Sequence, residues 1–228
     1  MKIKVMSFNI QHCRDYVKRI IDVDLMANTI KKFSPEIIGL NEVYGKYEDN
    51  LPQTEIIGKA LGFNHFFGES IIYKGIPYGN GLISKDKPID IKVVKIPDPI
   101  PDKDGPYESR TIIKAEFEKF TVLVSHFGLM KAEQKNAVDM AVNLINKINK
   151  PIILMGDFNM ESSDPTIAPF YALLKDTLTK ESYSYPSINA EKRIDYIFVS
   201  KDIKVIKANI EPVVASDHFP HTATLEIS

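Results

Sequence analysis

The chain reads as an α/β protein: mixed β-sheets covered by helices, in a single domain over residues 1–228. Three observations predict this. Short apolar runs recur along the whole length, among them Ile37-Ile38-Gly39-Leu40, Val122-Leu123-Val124 and Ile152-Ile153-Leu154-Met155. Helical stretches lie between them without the regular βαβ period of an all-parallel sheet. No repeat, low-complexity segment or interdomain linker divides the sequence.

Taken in order, residues 2–10 alternate through Ile3, Val5 and Phe8 and predict a strand that ends at Asn9. Residues 17–33 carry Ile20, Ile21, Leu25, Met26, Ile30 and Phe33 at helical spacing and predict a helix with a break near Asp22. Ser34-Pro35 stops it, and 37–40 form a buried strand that delivers Asn41, Glu42 and Val43. A short helix over 53–61 stops at Gly62. Residues 64–73 and 78–84 form a hairpin, and 89–96 a further strand. Three prolines and three aspartates make 97–105 a loop. Strands follow over 110–118 and 120–127, then an amphipathic helix over 131–149 with Ala137, Met140, Ala141, Leu144, Ile145 and Ile148 on one stripe. Residues 151–159 begin as a strand buried on both faces. A helix over 166–176 and strands over 193–199, 204–210 and 222–227 complete the chain.

Composition narrows the function. The sequence is 44% hydrophobic and 26% charged, which marks a folded domain and not a disordered chain. Its net charge is −1, from 29 basic and 30 acidic residues. A protein that grips a long nucleic acid draws most of its affinity from a basic excess, so the balance points to a small substrate. Cys13 stands alone and cannot form an internal disulfide. No signal peptide precedes the first strand and no apolar run is long enough to span a bilayer, so the expected location is cytoplasmic.

The chemistry gathers at the ends of the apolar strands. Asp157 and Asn159 follow the buried run 152–155, and strand alternation would project them from the same face. Asn9, Glu42 and His126 end other strands, Asp195 opens one, and Asp217-His218 precedes the last. Each alone is an ordinary turn residue, solvated strand end or core histidine. Together they offer oxygen ligands for Mg²⁺ and the carboxylates and histidines needed to move protons in phosphoester hydrolysis.

These residues sit in recognisable strings: Ser-Phe-Asn-Ile at 7–10, Asn-Glu-Val at 41–43, Tyr-Gly-Asn-Gly-Leu-Ile-Ser at 78–84, Glu-Ser-Arg-Thr at 108–111, Ser-His-Phe at 125–127, Gly-Asp-Phe-Asn at 156–159, Arg-Ile-Asp-Tyr-Ile-Phe at 193–198 and Ser-Asp-His at 216–218. In order and spacing the chain resembles the endonuclease/exonuclease/phosphatase (DNase I-like) superfamily. The resemblance implies a four-layer α/β sandwich of two packed mixed sheets flanked by helices. It implies a Mg²⁺-dependent phosphoric ester hydrolase, with Mn²⁺ as a substitute. Carried over, Glu42 is the main metal ligand, Asn9 lies close by, and Asp217 reaches the metal directly or through water. Asp157 orients or activates the attacking water, and Asn159 holds a phosphate oxygen. His218, paired with Asp195, contacts the phosphate and assists proton transfer. His126 plays the matching role on the other side, and Arg110 neutralises a phosphate oxygen. The sequence departs from the family at Asn41, where Gln is usual, and at Gln11, where some repair nucleases carry an acid.

The expected reaction is phosphodiester hydrolysis by in-line attack of water. The substrate is a small molecule or a lipid headgroup. The alternatives are a nuclease acting on DNA or RNA and a phosphomonoesterase acting on a sugar or inositol phosphate. Lys74 and Tyr107 are further candidate substrate contacts. A non-catalytic binding module would be expected to have lost a proton-handling residue, and none is missing.

Overall fold

Twelve strands and four helices alternate along the chain in a computed structural model that describes residues 1–100 and 107–228. The strands are β1 (Lys2–Asn9), β2 (Ile37–Tyr44), β3 (Asn64–Tyr73), β4 (Ile76–Ser84), β5 (Asp90–Lys95), β6 (Thr111–Glu116), β7 (Thr121–His126), β8 (Ile152–Asp157), β9 (Lys175–Asp176), β10 (Asp195–Val199), β11 (Lys204–Ile210) and β12 (His221–Glu226). The helices are α1 (Val23–Phe33), α2 (Gln53–Leu61), α3 (Lys131–Ile145) and α4 (Ala168–Leu173).

The strands form two six-stranded sheets, in the orders β11-β12-β1-β2-β4-β3 and β5-β6-β7-β8-β10-β9. Both are mixed: β1 with β2 and β7 with β8 run parallel, and the remaining neighbours antiparallel. Strand alternation explains the layers. Ile3 and Val5 of β1 meet Val122, Val124, Ile153, Met155, Ile197 and Val199 of the other sheet in a core between the sheets. Met6 and Phe8 point the other way, into a core with Met26 and Ile30 of α1 and Ile57 of α2. Ile152 and Leu154 of β8 likewise pack under α3 and α4, against Ala137, Val138, Ala141 and Phe170. The central strands are buried on both faces, hence their unbroken apolar runs. The result is the four-layer sandwich of two mixed sheets with helices outside. No helix among the described residues is long and apolar enough to cross a membrane.

Four boundaries differ from the sequence expectation by three residues or more. The helix predicted from residue 17 starts at Val23, with Asp22 accepting the Leu25 N–H at 2.8 Å as its cap. The segment before it is a turn, because Asp15 accepts the N–H groups of Val17 and Lys18 at 2.8 and 2.9 Å; Val17 and Ile20 stay 66% and 55% exposed. The helix predicted over 166–176 stops at Leu173, where Lys175–Asp176 leaves to pair with β10. The helix predicted to residue 149 ends at Ile145. The strand predicted over 37–40 runs on to Tyr44 through a β-bulge. Of the loop predicted over 97–105, residues 97–100 carry no regular structure, and the rest lies outside the described residues.

Candidate active site

Three neighbouring strands of the second sheet end together. In the register of β7, β8 and β10, His126 and Asp195 both lie opposite Asp157. All three continue the inner-face parity of Val122/Val124, Ile153/Met155 and Ile197/Val199, so they point into the gap between the sheets at its open end. Asn159 joins them by another route than strand alternation. The strand stops at Asp157, and Asn159 adopts a left-handed backbone (φ 51°) with its N–H donated to Asp157 Oδ1 at 3.0 Å.

The first sheet brings Asn9 and Glu42. Parity along β2 would turn Glu42 outward, toward α1 and α2. The bulge between Leu40 and Val43 sets Asn41 and Glu42 opposite Asn80 alone, and Glu42, at φ 58°, swings into the cleft. Its carboxylate is held from two sides: Asn9 Nδ2 donates to Oε1 at 2.9 Å and Tyr78 Oη to Oε2 at 2.7 Å. Asn9 Nδ2 also donates to Asp157 Oδ2 at 3.0 Å, and Asn9 Oδ1 accepts the Gln11 N–H. Asn9 therefore ties the two carboxylates together through its amide nitrogen. Asn41 bridges the sheets: its Oδ1 accepts the Asp157 N–H at 2.9 Å, its Nδ2 donates to Asn80 Oδ1 at 2.8 Å, and Asn80 donates to the Thr111 carbonyl at 3.0 Å. The departure from the family pattern at Asn41 thus carries a defined contact of its own.

The segment before β12 supplies Asp217 and His218. His218 Nδ1 donates to Asp195 Oδ2 at 2.8 Å and turns Nε2 to within 3.6 Å of Asp157 Oδ2. Burial works against its charge, but Asp195, Asp157 and Asp217 outweigh burial and lift the imidazole to about 10, so it is a cation at neutral pH. Asp157 is pushed up to about 7 by burial, with His218 pulling it down and Asp195 pushing it further up. Arg193, two residues before Asp195, grips Asp176 with two 2.6 Å contacts.

His126 is the opposite case. Burial, the Arg110 guanidinium and His218 hold it well below the usual histidine range, hence neutral. Donors face both ring nitrogens: Arg110 Nη1 lies 3.2 Å from Nδ1 and the Asn159 amide nitrogen 3.1 Å from Nε2, which is itself 3.6 Å from Asp157 Oδ2. Asn159 Nδ2, 3.1 Å from the same Nε2, donates to the Phe127 carbonyl at 3.0 Å. The other face of the Arg110 fork is taken by Glu108 at 2.7 Å.

Among the described residues one group of donors could hold a metal ion: Asp157, Asp195 and His218 bring one ligand atom each within 4.8 Å of one another. His218 Nδ1 is already hydrogen-bonded to Asp195 Oδ2, which leaves Nε2 as its ligating atom. Glu42 and Asp217 line the same cleft, and burial, with the Glu42 charge adding to it, pushes the Asp217 carboxyl up. A divalent cation relieves such a carboxylate.

Glu42, Arg110, His126, Asp157, Asn159, Asp217 and His218 all line one cleft of about 900 Å³. Asn9 and Asp195 support it from behind as buried residues. Lys74 and Tyr107 are not among the described residues lining it. Sequence reasoning missed several parts. Tyr78 lay in the string 78–84, but its contact with Glu42 crosses from β4 to β2 and left no signal in the sequence. Gln11, named in the sequence only as a departure from the repair nucleases, donates to Asp217 Oδ2 at 2.8 Å. Glu133 and Gln134 of α3 brace the cleft from outside: Glu133 accepts the Glu108 N–H and Gln134 donates to the Asn159 carbonyl, both at 2.9 Å.

The comparisons agree with this architecture. The sequence matches the model of the Endonuclease/Exonuclease/phosphatase family over residues 6–218. Among curated proteins, none matches it. Similar solved structures include an endonuclease/exonuclease/phosphatase from Beutenbergia cavernae, with TM-score 0.82 and 18% identity over 100% of this chain and 72% of that one. Another, from Bacteroides vulgatus, has TM-score 0.79 and 19% identity over 100% of both chains. A third, described as a mannosyl-6-phosphatase of Bacteroides thetaiotaomicron, has TM-score 0.79 and 17% identity over 99% of this chain and 100% of that one. The chain belongs to the endonuclease/exonuclease/phosphatase family.

Proposed function

We propose that the protein is a divalent-metal-dependent phosphodiesterase that cleaves a P–O bond by in-line attack of a water activated at Asp157. The observation that carries this reading is the placing of Asp157. It lies 3.6 Å from both His126 Nε2 and His218 Nε2 and shares the Asn9 amide with Glu42. A carboxylate lifted to about 7 is matched to accept a proton from water near neutral pH.

Each residue then has one task. Glu42 and Asp217 hold the cation, with Asn9 fixing the Glu42 carboxylate. When bound, Mg²⁺, or Mn²⁺ in its place, supplies positive charge to a phosphate oxygen and to the leaving oxygen. Asp157 orients the water and takes its proton. His218, kept cationic by Asp195, donates Nε2–H to a phosphate oxygen and assists proton transfer. Asn159 and neutral His126 face the phosphate oxygens from the opposite side, and Arg110 adds positive charge beside them. A diester carries one negative charge and a monoester up to two. In this cleft Arg110 is already paired with Glu108, which favours the diester.

The test is hydrolysis of bis-p-nitrophenyl phosphate with Mg²⁺ or Mn²⁺, set beside single-stranded DNA, RNA, a phospholipid and hexose 6-phosphates. Wild type is expected to act on the diester and to lose activity with a chelator. Asp157→Asn and His218→Ala are each expected to lose at least about a hundredfold in kcat. Wild-type inactivity on every substrate, or unchanged rates in both variants, would sink the proposal.

A further inference from the structure

One wall of the cleft holds His12 and Tyr73, which have no part in the chemistry above, beside Tyr78, whose hydroxyl holds Glu42. Gln11, His12 and Cys13 take φ of 43°, 46° and 61°, three consecutive non-glycine residues in the left-handed region. Such a run is strained and persists only when its surroundings fix it. Here Gln53 donates to the His12 carbonyl at 2.8 Å, Cys13 N–H donates to Ile10 O at 2.8 Å, and Asn9 Oδ1 accepts the Gln11 N–H at 3.1 Å. The turn sets the His12 ring against Tyr44, with centroids 4.7 Å apart and planes at 28°. Tyr78 stands 6.2 Å from His12, and Tyr73 stands 5.2 Å from Tyr78. His12, Tyr73 and Tyr78 all line the cleft, on the side of Glu42.

His12 Nδ1 is buried without a hydrogen-bond partner. An orphaned lone pair is better tolerated than an orphaned N–H, so the ring proton belongs on Nε2, at the edge left to face the cleft. The wall thus offers one neutral donor beside two tyrosine rings. Of the four lysines and arginines among the described residues that line the cleft, Lys131 is paired with Asp164 and Arg110 with Glu108, and Arg14 and Lys192 are the other two.

We propose that His12, Tyr73 and Tyr78 form a subsite for the group esterified to the phosphate, and that this group is a hydroxylated carbohydrate ring. Its C–H face packs on the tyrosines and one of its oxygens accepts from His12 Nε2–H. The inference rests on the phosphoesterase reading and names its substrate class. His12 is then a specificity-determining residue.

The experiment compares kcat/KM on bis-p-nitrophenyl phosphate with that on two p-nitrophenyl diesters, one of a hexose 6-phosphate and one of a nucleoside 5′-phosphate. Wild type is expected to prefer a ring-bearing ester. His12→Ala is expected to lower the ratio of ring ester to aryl ester by about tenfold or more. His12→Gln, which returns an amide donor at similar reach, is expected to recover most of that ratio. Whether the hexose or the nucleoside arm carries the effect tells a free sugar from a ribose. The subsite is overturned if wild type shows no preference for either ring ester. It is also overturned if His12→Ala, folded by circular dichroism, leaves the ratio unchanged or loses activity equally on all three substrates. Wild-type inactivity on all three instead overturns the phosphoesterase reading itself.

Discussion

Tyr78 shows what a single side chain adds at the site. Its hydroxyl occupies Glu42 Oε2 at 2.7 Å, and burial together with the Glu42 charge keeps the phenol far above its ordinary range, so it always donates. A partner of this kind fixes the rotamer of the carboxylate it touches. Tyr78→Phe is therefore expected to weaken divalent-cation affinity by about tenfold or more. Titration calorimetry with Mn²⁺ checks this; affinity equal to wild type would assign the hydroxyl no part in holding Glu42. At this scale the sequence was legible where a residue type carried chemistry of its own. Glu42, Asp157 and His218 are acids and bases at strand ends. Tyr78, Asn80 and Gln11 act only through the geometry of a partner on another strand or loop, which no local pattern encodes. The swing of Glu42 was equally hidden, since it depends on two residues of β2 facing one of β4.

The elements were legible for the same reason that they are stable. Strands buried on both faces must be apolar throughout, and β1, β2, β7, β8 and β10 announce themselves in this way. The misread ends are places where a competing contact wins. Val17 to Ile21 has helical spacing, but Asp15 captures its first N–H groups. Lys175 and Asp176 continue a helical pattern, but β10 offers them a ladder. Alternation also misjudged the route of Asn159. Gly156 is the tightest local requirement: at φ 150°, a Cβ would lie 1.8 Å from the Ser125 carbonyl oxygen of the neighbouring strand. Gly156→Ala must part β7 from β8 immediately below His126 and Asp157. It is expected to destabilise the fold by more than about 3 kcal/mol, read from the urea midpoint. A loss below about 1 kcal/mol would mean that the strands can separate cheaply there.

The response to pH belongs to the molecule as a whole. His221 of β12 is fully buried, with Thr177 at 3.1 Å from Nε2 and Nδ1 unpartnered, and burial followed by the Arg193 charge lowers it well below its ordinary value. The unfolded chain binds a proton at this ring near pH 6.5, and the folded chain does not. Its contribution is therefore intact above pH 6.5 and is lost as the pH falls below it, at up to about 1.4 kcal/mol per pH unit. His221→Asn is expected to flatten the acid limb of stability between pH 6 and 5 by about that slope. Parallel slopes for the two proteins in urea titrations would refute the assignment. The two-sheet plan itself was legible from the resemblance in order and spacing. The pairing of the sheets through Asn41 and Asn80 was not, because it joins residues distant in sequence that carry no charge.

The position of β12 has a consequence for how the protein comes into being. It lies between β1 and β11, with Lys2 opposite Glu226, so the first strand made is paired by the last. Of the elements described, a ribosome releases β12 last, and contacts of such sequence separation form slowly. Until then β1 has an open edge, and His218, three residues upstream of the strand, has no fixed place beside Asp195. A nascent chain holds Glu42, Asp157 and Asp195 before it places Asp217 and His218. A chain interrupted before β12 therefore has part of the cleft without the histidine–aspartate pair in place.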